Sequence, residues 1–139
     1  MVADGRAGAV TTFAYDKDAR VPLPVMKVVL SDPASRGSTE VTPMVDTGFD
    51  GGLLLPLEQY IGLGRQNFEE PGGTFVVRSA SGLAISLRSS RGVAAVGGKR
   101  FRCSVYTSPL LLRPLLGREL LNRLKVSLDG PKGELTDSE

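Results

Sequence analysis

Pro43-Met44-Val45-Asp46-Thr47-Gly48-Phe49-Asp50-Gly51-Gly52-Leu53-Leu54-Leu55-Pro56 sets a short polar loop, Asp46 to Gly51, between two apolar runs that read as strands. A carboxylate is thereby held where a rigid sheet stops. Loops fixed by a scaffold carry a disproportionate share of catalytic residues, whereas the apolar flanks alone would mark only a core.

A second element, Leu115-Leu116-Gly117-Arg118-Glu119-Leu120-Leu121, puts two apolar residues and a glycine ahead of a short helical pattern. An Asp-Ser/Thr-Gly tripeptide alone should arise by accident in roughly 5% of chains this long, so the flanks and this second element decide its meaning. Apolar residues, then Asp46-Thr47-Gly48, then an extended apolar run resemble the active-site loop of aspartic proteases. Asp46 to Gly51 followed by the Leu-rich run to Pro56 is similar to the small, single-domain retropepsin-like members. Leu115 to Leu121 resembles that family's other fixed element. The separation of 71 residues (117 − 46) leaves room for the flap hairpin and returning strands that the resemblance implies.

A chain of 139 residues reads as one domain, large enough to bury a core, with residues 1–8 small, polar and loosely held. With 17 Gly, 9 Pro and no Trp, it promises many turns, few long helices and a core of Leu and Val. A net charge of +2 is too small to argue for nucleic acid. The locally basic stretch containing Arg88, Arg91, Lys99, Arg100 and Arg102 reads as a solvated hairpin face. Cys103 has no second cysteine to pair with, and its alternation with Phe101 and Val105 reads as a buried strand position. The chain has no histidine to serve a thiol nucleophile or the usual zinc spacings. There is no basic, then apolar leader and no run approaching the ~20 residues of a membrane span, so the expected setting is cytoplasmic, with no membrane partner.

Ala9 to Tyr15 and Val21 to Leu30 read as strands around the charged turn 16–20. The near-continuous Val25, Met26, Val28, Val29 and Leu30 imply a central strand buried on both faces. Ser31 to Thr39 reads as a loop, Leu53 to Leu55 as a strand, and Pro56 to Ile61 as a helical turn ended by Gly62 and Gly64. Phe75/Val77 and Leu83/Ile85/Leu87 alternate on either side of Ala80-Ser81-Gly82, a hairpin signal. Val93 to Val96, the Gly97-Gly98 turn and Lys99 to Tyr106 make another. Arg118 to Leu124 reads as a short helix burying Leu120, Leu121 and Leu124, and Val126 to Asp129 as a strand. Glu134 to Glu139 reads as a polar tail and a poor strand. Gly62 to Asn67 fails as a nucleotide loop because its third glycine is replaced and no clear strand precedes it, and Gly92 to Arg100 fails as a phosphate loop because its glycines and Lys99 are out of register.

The fold expected is all-β, a retropepsin-like acid protease half-barrel with one short C-terminal helix, assembled as a homodimer. Carboxylate-driven peptide hydrolysis needs one group to take a proton from water and another to donate one to the carbonyl oxygen. Two carboxylates within hydrogen-bonding distance can share a single proton, because like charges prevent both from ionising. The chain has one Asp-Thr-Gly, so the second Asp46 must come from a second copy across a two-fold axis. The resemblance further implies that Thr47 locks the paired loops, that Gly48 lets the substrate backbone pass, and that Phe49, Asp50 and Gly51 flank the substrate. It makes Ala80, Ser81 and Gly82 the flap turn over the substrate, and Leu116, Gly117 and Arg118 the support of the site, Arg118 pairing with Asp50. Peptide or unfolded protein is the implied substrate, with no metal and no cofactor. Two other readings are an inactive, dimeric peptide-binding module of the same fold, and a phosphate-handling enzyme holding a cation on Asp46 and Asp50.

Overall fold

The computed structural model describes residues 9–32, 37–65, 69–78 and 84–138. Among the described residues, eleven strands and two short helices are laid out as β1 (Val10–Ala14), β2 (Val28–Ser31), β3 (Ser38–Val41), β4 (Met44–Val45), β5 (Leu53–Pro56), α1 (Leu57–Gly62), β6 (Glu69–Arg78), β7 (Ala84–Val96), β8 (Lys99–Ser108), β9 (Leu115–Leu116), α2 (Arg118–Leu121), β10 (Lys125–Asp129) and β11 (Glu134–Ser138). The larger sheet runs β3-β2-β7-β8-β5-β9-β4, with β6 also paired to β7. It curls into a half-barrel around Met26, Val28, Leu53, Leu55, Tyr60, Val105, Leu116 and Leu120, all fully buried. At about 1.5–3 kcal/mol for each large apolar side chain removed from water, this cluster dominates the stability.

The long hairpin β7–β8 forms because Gly97 and Gly98 both take positive φ, +56° and +83°. Two such residues turn the chain with the twist that strands require, and Val96 lands opposite Lys99. β6 lies antiparallel to β7, from Glu69 opposite Ser90 to Arg78 opposite Ala84, with a register irregularity between Glu69 and Thr74. The expected strand pairing is therefore present, while the turn expected at Ala80, Ser81 and Gly82 lies outside the described residues.

Two sequence expectations need correction. Val21 to Leu30 is not one strand buried on both faces: ladder pairing begins only at Val28, and Val29 is 38% exposed. Pro22 and Pro24 cannot donate to a ladder, and Val25 makes only an isolated bridge with Met44. The strand is nonetheless interior, between β3 and β7. Second, the polar tail is a strand. β11 is the middle of a three-stranded sheet, β1-β11-β10, with Leu135 and Asp137 turned inward. Asp137 tolerates burial because Lys99 Nζ donates to it at 3.2 Å and the Lys125 N–H at 3.3 Å.

Between the end of β2, opposite Val93, and the start of β6, opposite Ser90, the edge of β7 has no neighbouring strand among the described residues. The buried Arg65 side chain fills that gap, its Nη1 donating to the Arg91 carbonyl at 3.2 Å. Burial lowers the guanidinium's pKa, with nearby Asp32 acting in the opposite sense.

Cys103 is fully buried, and burial, reinforced by the Glu119 charge, pushes its thiol up to about 12. The reactive thiolate is thus suppressed throughout the neutral range. A thiol reagent at pH 8 should leave the native protein unlabelled and should react fully once urea has unfolded it; rapid native labelling would show that this strand position is open.

Candidate active site

The Asp46 loop is fixed at both ends by the sheet. Leading into it, Met44 and Val45 pair in parallel with Leu115 and Leu116, and the Asp46 N–H donates to the Leu116 carbonyl at 2.9 Å. Leaving it, Leu53 pairs with both Val105 of β8 and Leu116 of β9. The two motifs read from sequence thus meet in space. Three more backbone bonds close the junction: Gly117 N–H to Gly52 O at 2.8 Å, Arg118 N–H to Phe49 O at 2.8 Å, and Glu119 N–H to Gly51 O at 3.2 Å.

Asp46 itself is half-buried, and its Oδ1 accepts the Gly48 N–H at 2.9 Å. This bond within the loop fixes the carboxylate's direction. Thr47 and Gly48 are exposed at the tip, and a Cβ on Gly48 would stand 3.2 Å from Asp46 Oδ1. Asp50 is also exposed. Among the described residues, no three His, Cys, Asp or Glu side chains are grouped to hold a metal ion.

Phe49 and Gly51 depart from the expected substrate-flanking positions. Phe49 is only 8% exposed and packs with Leu54, Leu87, Leu111 and Leu115 in a second apolar cluster. Its ring meets Tyr106 edge-on, with centroids 5.7 Å apart at 83°. A large ring at the sheet's end is drawn inward because burying it is worth more than exposing it. Gly51 is buried beneath it, where a Cβ would fall within 2.5 Å of Phe49. Leu116 and Gly117 are buried against the loop. Arg118 holds the loop through its backbone N–H, and its exposed side chain makes no ion pair with Asp50 within the single chain.

Sequence reading missed Glu119. Its carboxylate accepts the Ser104 N–H, 3.3 Å from each oxygen, one residue before β5 begins to pair with β8 at Val105. A carboxylate thus supplies the bond a strand would have made. The signal was a lone acid in the first turn of a one-turn helix, too common to single out. Also missed was Tyr60, whose hydroxyl donates to Glu69 at 2.9 Å while Arg88 Nε donates to the same oxygen at 2.9 Å. This triad ties α1 to the root of the β6–β7 hairpin. Burial, the largest influence, pushes the Tyr60 hydroxyl up to about 12.

This architecture defines a class: the chain has a retropepsin-like fold. It is similar to a retropepsin-like aspartic protease from Rickettsia conorii, with TM-score 0.59 and 19% identity over 94% of this chain and 90% of that one. It is also similar to the EIAV protease complexed with the inhibitor HBY-793, with TM-score 0.56 and 17% identity over 80% of this chain and 93% of that one. No family model and no curated protein matches the sequence. No helix among the described residues is long and apolar enough to cross a membrane.

Proposed function

We propose that the chain is an aspartic-type endopeptidase acting as a homodimer on extended segments of peptide or unfolded protein. The observation that carries this reading is the Asp46 loop itself: an Asp-Thr-Gly whose carboxylate is aimed by the Gly48 N–H and whose backbone is bonded on both sides to β9 and α2, within a retropepsin-like fold. Two such loops facing each other across a two-fold axis bring two carboxylates together around one proton. The ionised partner takes a proton from water as its oxygen attacks the peptide carbonyl. The protonated partner donates to the carbonyl oxygen, and collapse of the tetrahedral species expels the amine after it gains a proton.

In this reading Thr47, exposed at the tip, bonds across the axis, and Gly48 lets the substrate backbone pass close to Asp46. Asp50 meets the substrate main chain, and Phe49 and Gly51 brace the loop from within. No cofactor or metal is called for.

Leu110 and Leu112 are 70% and 96% exposed on either side of Leu111, which packs in the Phe49 cluster beside the loop. They supply apolar contact for substrate side chains. Replacing Leu112 with Asp should raise KM for an apolar peptide about tenfold, the value of one buried Leu contact, with kcat and thermal stability little changed. An unchanged KM would remove this loop from the substrate surface. The function as a whole is tested by digesting an unstructured protein at several pH values alongside sedimentation of the same sample. Cleavage that appears with the dimer and is blocked by a statine-type peptide supports the reading, and cleavage abolished by a chelator instead would refute it.

A further inference from the structure

The basic stretch between Arg88 and Arg102 is divided by the fold. Arg88 bonds to Glu69, and Lys99 turns to the buried Asp137. The others share the opposite face of the β7–β8 hairpin, where Arg91 pairs with Ser104, Val93 with Arg102 and Ala95 with Arg100. All three arginines there are exposed. Arg100 and Arg102 stand ~7 Å apart along β8, and Arg91 lies diagonal to Arg102 at ~7–8 Å. A cleft of about 250 Å³ runs there, lined by Arg91, Gly92, Val93 and Arg102.

Among the described residues, neither Arg100 nor Arg102 has a carboxylate partner. Like charges on one sheet face repel, so Arg100 and Arg102 together favour an anion placed between them. The same face of β8 continues through Ser104 to Tyr106, which packs on Phe49 beneath the Asp46 loop. From Arg102 to Tyr106 is ~14 Å of strand.

We propose that this arginine row binds an acidic, extended stretch of the substrate polypeptide outside the residues held at the scissile bond. The purpose of the site rests on the protease reading above; the binding does not. Carboxylates two residues apart on an extended chain recur every ~7 Å, the spacing of Arg100 and Arg102, and each guanidinium presents a planar fork to a carboxylate. Single-stranded nucleic acid fits less well, since such sites stack bases on aromatic rings and Tyr106, the aromatic residue that β8 places on this face, already packs on Phe49. A duplex site neutralising many phosphates would want more charge than a net +2.

The test uses fluorescence anisotropy of a labelled Glu-Ala alternating octapeptide with the full-length Asp46→Asn chain, which cannot cut it. Binding should be saturable at low salt, about tenfold or more weaker in the added double variant Arg100→Glu/Arg102→Glu, and unaltered by Arg20→Glu on an exposed bend elsewhere. In the active protein, an acidic tract near the cleavage site should lower KM about tenfold against a Gln tract, an advantage lost in Arg100→Glu/Arg102→Glu at unchanged kcat. Equal binding of a Gln-Ala octapeptide overturns the proposal, as does displacement of the acidic peptide by a tighter-binding oligothymidylate. The two readings fail separately. Acidic-peptide binding with no cleavage of any substrate would remove the protease and leave this surface, whereas cleavage indifferent to the acidic tract would remove the surface and leave the protease.

Discussion

Asp46→Asn should lose cleavage of an unstructured protein by about 10⁴-fold or more, because in the proposed homodimer one substitution removes both the acid and the base from a symmetric pair. The fold should persist, since the Asn side-chain oxygen can still accept the Gly48 N–H that Asp46 Oδ1 now accepts at 2.9 Å. Circular dichroism, the urea midpoint and sedimentation should match the parent within error. Mixing supplies a sharper measurement. When equal amounts of parent and variant are re-equilibrated at fixed total protein, random pairing leaves about one quarter of the dimers with two Asp46 carboxylates, so activity should fall to about a quarter. A fall to one half instead would mean that each chain works alone, and the shared-proton mechanism would be withdrawn.

Gly117→Ala should be the most disruptive single methyl in the described chain. Gly117 has φ −104° and ψ −173°, extended backbone open to any residue, so its demand is for space. A Cβ there would sit 2.6 Å from the Phe49 carbonyl oxygen and equally close to the Phe49 ring, and would also run into the Gly51 carbonyl. Those atoms belong to the turn that carries Asp46, and the Gly117 N–H holds its exit through Gly52. Relief would require moving the loop or expelling the ring, a loss of about 3 kcal/mol. At typical urea slopes that lowers the midpoint by about 1–3 M. Gly62→Ala is the control: nothing lies within 4 Å of its Cβ position, at the end of α1, so stability should hold or rise slightly. Equal midpoints for the two variants would show that loop and helix are not packed as described.

Much of this was legible in the residues, and the reasons differ by element. The hairpin at Gly97-Gly98 was readable because two glycines between alternating segments admit few other turns. The meeting of Asp46 with Leu116-Gly117 was readable only through resemblance, since no local rule joins residues 71 apart (117 − 46). Phe49 was misplaced because a ring beside a loop can face either way, and the deciding partners, Leu87, Tyr106 and Leu115, come from distant strands. β11 was missed because its period-two pattern alternates Leu135 with an acid; Asp137 reads as surface until Lys99 is brought to it from β8. Arg65 and Glu119 were invisible for a related reason. Each satisfies a backbone group that a strand leaves bare, and such vacancies exist only once the sheet is assembled.

The Asp46 turn has a consequence for assembly. Its Asp46 and Gly48 amides and its Phe49, Gly51 and Gly52 carbonyls are all engaged inside one chain. In the proposed homodimer, two subunits would therefore dock surfaces already shaped, with little ordering left for the encounter to impose. After dilution and reconcentration, recovery of activity should follow simple second-order kinetics without a lag, its speed set by collision and alignment alone.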